Sequence, residues 1–252
     1  MNTNHRTACT ISAISVILAY TSATPAAPAA TESSVVPLEA STLIIEFNAS
    51  DRDIGVQFFI DSEGWRSVQV FDPKGSEILS ADTAGRLARQ GGGSEFFLES
   101  VEPELEELSL SQFFTRFPAG TYRFRAVDNE GVVQVGRAQF SHALPAGPVL
   151  TSPPGSALPA ADCANLVAEP VTIAWKPVKT AIGGAPIEVV KYEVIVENDE
   201  LNFDAKFPAK PSPALTIPAG LLRPNTRYSF EVLAVAKNGN QTITEGCFTT
   251  PR

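Results

Sequence analysis

The chain has 252 residues, 19 of them basic and 28 acidic, for a net charge of −9 at neutral pH, and its 20 prolines and 17 glycines favour many short elements joined by turns. That length holds one large domain or two small ones. A surface this negative repels phosphate backbones, so nucleic acid is not an expected partner.

Residues 1–29 contain no acid, place His5 and Arg6 ahead of an apolar run at 10–20, and continue with small residues including Ala23, Ala27 and Ala29. The run is shorter than the roughly 20 apolar residues that a bilayer span requires. The segment therefore reads as a secretory signal peptide, with cleavage near those alanines and no transmembrane segment left afterwards. Arg6 is the one charge that departs, leaving a net −10. A secreted or periplasmic location follows. Of the three cysteines, Cys9 leaves with the signal, and Cys163 with Cys247 form an even pair that is expected to bridge in an oxidising compartment.

Residues 30–41, rich in Ala, Pro, Ser and Thr without periodicity, read as a flexible leader. A first folded region, 42–143, opens with strands expected at 43–47, 56–60, 67–71 and 77–79, the last two separated by the turn Asp72-Pro-Lys-Gly75. The loop Asp51-Arg-Asp-Ile-Gly55, with Asp61 beyond, gathers hard oxygen ligands of the type calcium takes. The pattern then fails to continue as a calcium loop, so capping of a turn by Asp51 and Asp53 is the simpler expectation. Apart from this calcium candidate, no cofactor is expected.

Residues 81–117 interrupt the strands. Gly91-Gly-Gly93 promises flexibility and lacks the Lys-Ser/Thr of a phosphate loop. Glutamates at 95, 99, 102, 104, 106 and 107 then read as a solvated approach to a short helix. In that helix Leu110, Phe113, Phe114 and Phe117 share a face, Ser109 is the N-cap, and Pro118 and Gly120 stop it. Adjacent Phe58 and Phe59 point to opposite sides of their strand. The helix is expected to cover the second of them as an insertion over the outer sheet, with a protein or carbohydrate partner as the alternative.

Tyr122-x-Phe124 then follows a proline-containing corner, and Tyr228-x-Phe230 repeats that theme about a hundred residues later. A tyrosine entering a late strand, its hydroxyl bonded back to upstream backbone, belongs to β-sandwiches. Between the two copies, 144–162 carries a proline-rich stretch expected to act as a stiff linker. The last region, 163–252, alternates at 171–175, ending in Trp175, then at 189–197 with Tyr192, and again at 214–217, 228–236 and 241–249.

Tryptophan on an early strand, tyrosine on the next long one, and the run Leu222-x-Pro-Asn-Thr-x-Tyr228-x-Phe230-x-Val232 resemble a fibronectin type III domain. The resemblance covers about a third of the chain. The chain from residue 30 onward is also similar to exported bacterial proteins that pair an Ig-like module with a type III domain. The fold expected is all-β: two tandem Ig-like/fibronectin type III sandwiches, the first with a short helical insertion, pinned by Tyr122, Tyr228 and Trp175. The resemblance implies no activity, since such modules serve as spacers, adhesion surfaces and accessory domains of exported enzymes.

Catalytic patterns are thin. His142 is the lone histidine after the signal, and no nucleophile-elbow sequence accompanies it. One histidine and a bridged cysteine pair cannot furnish zinc. Asn48-Ala-Ser and Asn240-Gln-Thr match the glycosylation pattern weakly. The expected function is a non-enzymatic binding or adhesion module with a protein or carbohydrate ligand. The alternatives are an accessory pair or small hydrolase acting on polysaccharide, and a structural envelope or matrix component.

Overall fold

The computed structural model describes residues 35–154, 163, 165–210 and 213–252; the expected signal peptide and residues 30–34 of the expected leader lie outside the described residues. The strands in order are β1 (Val35–Pro37), β2 (Ala40–Asn48), β3 (Asp53–Trp65), β4 (Ser67–Phe71), β5 (Glu77–Asp82), β6 (Gly93–Glu99), β7 (Gly120–Val127), β8 (Val133–Phe140) and β9 (Val149–Ser152). They continue as β10 (Thr172–Lys176), β11 (Val189–Asn198), β12 (Leu201–Pro208), β13 (Ala214–Thr216), β14 (Arg227–Ala236) and β15 (Gln241–Thr249). The helices are α1 (Gly85–Gln90) and α2 (Leu110–Arg116). The chain is all-β, as its alternating patterns predict.

Two sandwich cores result. In the first, Leu43, Ile45, Phe47, Val56 and Phe58 of β2 and β3 meet Val68, Val70, Tyr122, Phe124 and Phe140 of β4, β7 and β8. In the second, Ile173 and Trp175 of β10 meet Tyr192, Val194, Phe230, Val232 and Phe248. A five-stranded sheet, β1-β8-β7-β4-β5, closes the first core, and a three-stranded sheet, β13-β10-β9, closes the second.

The opposite wall is shared. One seven-stranded sheet runs β12-β11-β14-β15-β2-β3-β6 and backs both cores. Its seam is a short parallel pairing of β15 with β2, Gln241 opposite Glu46 and Ile243 opposite Asn48. The buried side chain of Asn240 locks the seam: its carbonyl accepts from the Ile45 amide at 2.9 Å, and its amide donates to the carbonyls of Ser141 at 2.8 Å and Ala143 at 3.0 Å. Thr242 adds a hydroxyl bond of 2.7 Å to the Pro145 carbonyl.

Several expectations shift as a consequence. Val149–Ser152, inside the proline-rich stretch, forms β9 and pairs with β10, because Leu150 has the second core to pack against. Residues 35–37 and 40–41 of the expected leader are strand as well, β1 lying parallel to β8. α2 forms where its pattern predicts, with Ser109 accepting from the Gln112 amide and Gln112 accepting in return from the Ser109 amide at 3.0 Å. It does not cover the outer sheet. Its apolar face turns inward, so that Phe113 is buried in the first core beside Phe114 and Phe117. The ring of His142 stacks on Phe114 with centroids 4.2 Å apart, and its Nε2 pairs with the Phe117 carbonyl at 2.8 Å, a structural use of this histidine. Phe59 stays half-buried on the outer face, opposite Phe97, which is 59% exposed.

The glycine run is a packing device rather than a hinge. A Cβ on Gly93 would lie 2.7 Å from the Trp65 ring, and one on Gly92 would collide with the Trp65 carbonyl.

Candidate functional site

The outer face of the seven-stranded sheet carries a band of carboxylates that crosses the seam. Strand alternation puts Glu46 of β2 on this face, between the inward side chains of Ile45 and Phe47. Its cross-strand partner is Gly55, and the missing Cβ there is what admits Glu102: a methyl group would lie 2.6 Å from Glu102 Oε1. Glu99, at the end of β6, completes a trio whose ligand oxygens all lie within 4.8 Å of one another.

Burial sets the electrostatics. Desolvation pushes Glu46 up to about 7, with Gln241 hydrogen-bonding against the shift and Glu99 adding to it. Glu102 rises to about 7 from burial first and then from Glu46, Asp53 and Glu99. Across the seam, Glu231 of β14 rises to about 7 from burial, reinforced by Glu245, Glu197 and Glu46. Glu245 is also raised by burial, although Asn48 donates a side-chain hydrogen bond to it. Glu102 Oε1 and Asp53 Oδ1 are buried with no hydrogen-bond partner among the described residues. A band of this kind takes up protons close to neutrality.

The arrangement does not suit glycoside hydrolysis. That chemistry sets one carboxyl on each side of a scissile bond, about 5 Å apart or more, with both reaching substrate. Glu46 is only 7% exposed, and its carboxylate is held by Gln241. A concavity at the end of the first sandwich, about 660 Å³, has Glu39, Glu63, Asp128 and Glu130 in its lining. Among the described residues, Glu46, Glu99 and Glu102 are the one group of three acids whose oxygens lie close enough together to share a metal ion.

The calcium candidates are dispersed. Asp51 is exposed in the β2–β3 turn, where Asn48 Oδ1 accepts from the Ser50 and Asp51 amides at 2.9 and 3.2 Å. Asp53 opens β3, and Asp61 lies eight residues further along the same extended strand, roughly 26 Å away at the usual rise. Asp53 faces Glu104 instead, across an isolated bridge, and contributes to the charge around Glu102. The sequence reading missed the trio because Glu102 looked like part of a solvated acidic run. A signal was present: Glu46 is an acid within the apolar run 43–47, and Gly55 is a gap facing it.

The corner residues are buried. Tyr122 donates to the Pro118 carbonyl at 3.1 Å, and Tyr228 accepts from the Arg223 amide at 2.8 Å. Trp175 packs edge-on against Tyr192, ring centroids 5.0 Å apart. Cys163 and Cys247 form a disulfide with a Cα–Cα distance of 5.8 Å. Both glycosylation-pattern asparagines are buried and engaged, Asn48 with Glu245 and Asn240 in the seam.

No family model matches the chain, and no curated protein matches it in sequence. Solved structures that it resembles include a tetra-tandem repeat from the extending region of a large adhesion protein, at 11% identity and a TM-score of 0.28, over 84% of this chain and 49% of that one. The FN1–FN3 domains of chicken CNTN1 match at 11% identity and a TM-score of 0.32, over 86% of this chain and 66% of that one. A 1.5-MDa bacterial ice-binding adhesin matches at 12% identity and a TM-score of 0.27, over 84% and 64%. The chain thus spans about half to two thirds of the length of these structures.

Proposed function

We propose that the chain is an exported, non-enzymatic binding or adhesion module in which two sandwiches act as one stiff body. The observation that carries this reading is the seam. Because β15 pairs with β2, a single sheet backs both cores, and the orientation of one sandwich fixes that of the other. A module of this build holds a recognition face at a set angle under load, a demand that adhesion makes and hydrolysis does not. The Cys163–Cys247 bridge supports an oxidising, extracytoplasmic setting. The carboxylate trio, closely spaced and with Glu46 inaccessible, gives a hydrolase little to work with.

The test is a glycan and surface-protein array probed with the full chain, with calcium and with chelator, alongside an assay for released reducing ends. Retention on an array member without cleavage is the expected result. Release of reducing ends would overturn the reading. Loss of retention in chelator would assign a role to calcium, which then has to be sought at the acids of the outer face rather than at Asp51, Asp53 and Asp61 acting together.

A further inference from the structure

The geometry points to the outer face of the five-stranded sheet as a site for a carboxylated polysaccharide, a chain of uronic acids; this rests on the binding-module reading and names its ligand class. Three arginines cluster there in a protein whose acids outnumber its bases 28 to 19. Arg123 and Arg125 lie two residues apart on β7 and so share a face, roughly 7 Å apart along the strand. Arg137 of β8 stands directly opposite Arg123 in the antiparallel register. Like charges in facing positions destabilise a sheet, so folding alone does not account for the pair. Among the described residues none of the three is in an ion pair; their side-chain contacts are a hydrogen bond of 3.1 Å from Arg125 to Gln69 and the Arg123 guanidinium over the Phe71 ring at 5.9 Å.

These side chains border a cavity of about 350 Å³ whose other walls include Phe71, Val135 and Gly75. Val135 is 42% exposed and Phe71 is half-buried. Apolar carbon therefore alternates with guanidinium across the face. A uronic acid ring offers the complement, a C–H face for the aromatic and aliphatic surface and an edge carboxylate for the planar guanidinium fork. The neighbouring acids are engaged elsewhere and make no ion pair with the cluster: Glu77, across Phe71 from Arg123, accepts from Gln69 at 2.7 Å, and Asp72 accepts from the Lys74 and Ser76 amides of its own turn.

The experiment measures binding of the full chain to polygalacturonate, to its methyl-esterified form, to dextran sulfate and to polyglutamate, for the parent and for the R123A/R125A/R137A variant. Because Arg123 and Arg137 are exposed and Arg125 is half-buried, a thermal melt in parallel establishes that the variant folds. The expected result is binding to polygalacturonate that is lost on esterification, weakened at least about tenfold by the triple substitution, and weakened as salt rises from about 0.05 M to about 0.5 M. Polygalacturonate binding that survives esterification or the substitutions overturns the inference. So does equal or tighter binding of dextran sulfate or polyglutamate. Salt-sensitive self-association without glycan, abolished by the variant, would assign the face to the acidic surface of a second copy and overturn it too. Binding of a neutral glycan alone overturns this site and leaves the binding-module reading standing, whereas retention on no array member defeats both.

Discussion

The side-chain carbonyl of Asn240 accepts a hydrogen bond from the backbone of Ile45, 195 residues earlier in the chain, at 2.9 Å. No local interaction draws these segments together. The bond exists because the turn before β15 enters the edge of β2, and the same side chain satisfies two carbonyls of the segment that leaves the first sandwich. Asn240→Ala would strand the buried Ile45 amide and take a donor from the Ser141 carbonyl, while the Ala143 carbonyl keeps its bond from Asn238 at 2.8 Å, a loss of about 2 kcal/mol. Each core holds one tryptophan, Trp65 in the first and Trp175 in the second, so each sandwich has its own fluorescent reporter. Urea unfolding read from single-tryptophan variants is expected to show one shared midpoint in the parent background and two in the Asn240→Ala background. Coincident midpoints after the substitution would mean that the seam does not couple the cores.

The carboxylate band predicts an unusual pH dependence. Glu46, Glu102 and Glu231 have folded-state values pushed up to about 7, above the ordinary carboxylate value of 4.5. A raised carboxyl binds its proton more tightly in the folded state, so the stability it contributes is fully present below about pH 4.5 and is lost as pH rises through about 7. The urea midpoint is therefore expected to be higher at about pH 5 than at about pH 8, and Glu231→Gln should flatten that slope. A midpoint that rises between those two values would contradict the assignment.

Gly55 offers a test of geometry in the same band. A methyl group there would sit 2.6 Å from Glu102 Oε1 and 2.8 Å from its Cγ, so Gly55→Ala should drive the Glu102 side chain out towards water. Its titration, followed by carbon-detected NMR, is expected to return to the ordinary carboxylate range. A Glu102 that still titrates near 7 in this variant would show that Gly55 is not what admits it.

The fold was legible wherever burial imposes a period. Alternation located the long strands around Val194 and Phe230, the spacing of Leu110, Phe113 and Phe114 located α2, and Ser109 its cap. What escaped the sequence reading depends on contacts between remote segments. The inward turn of α2, the Asn240 clamp and the meeting of Glu46 with Glu102 are set by tertiary packing that no window of neighbours contains. Asn240 and Asn48 matched a surface modification pattern, yet both are buried, because a three-residue motif carries no information about burial. Arg123 and Arg137 sit 14 residues apart, and only the register of β7 with β8 makes them face each other.

The two corner tyrosines are expected to differ in what their hydroxyls contribute. Tyr122 donates to the Pro118 carbonyl, whereas Tyr228 accepts from the Arg223 amide. A carbonyl has a second lone pair and tolerates the loss of one donor better than an amide tolerates the loss of its acceptor. Tyr228→Phe should therefore cost about 1.5 kcal/mol and Tyr122→Phe about half of that, measured as shifts in urea midpoint at constant slope. The reverse order would refute this ranking.

The disulfide ties Cys247 on β15 to Cys163, closing a loop across 84 positions of sequence. Restricting the unfolded chain over that length stabilises the fold by about 4.6 kcal/mol in the chain-entropy account. β15 is also flanked by β14 on one side and by β2 on the other, so the strand keeps its place when the bridge is gone. The double substitution Cys163→Ser and Cys247→Ser is therefore expected to lower the urea midpoint while leaving the tryptophan and tyrosine fine structure of the native near-ultraviolet circular dichroism in place. If that spectrum collapses in the absence of denaturant, β15 is held by its bridge rather than by its neighbours, and the seam is weaker than its hydrogen bonds imply.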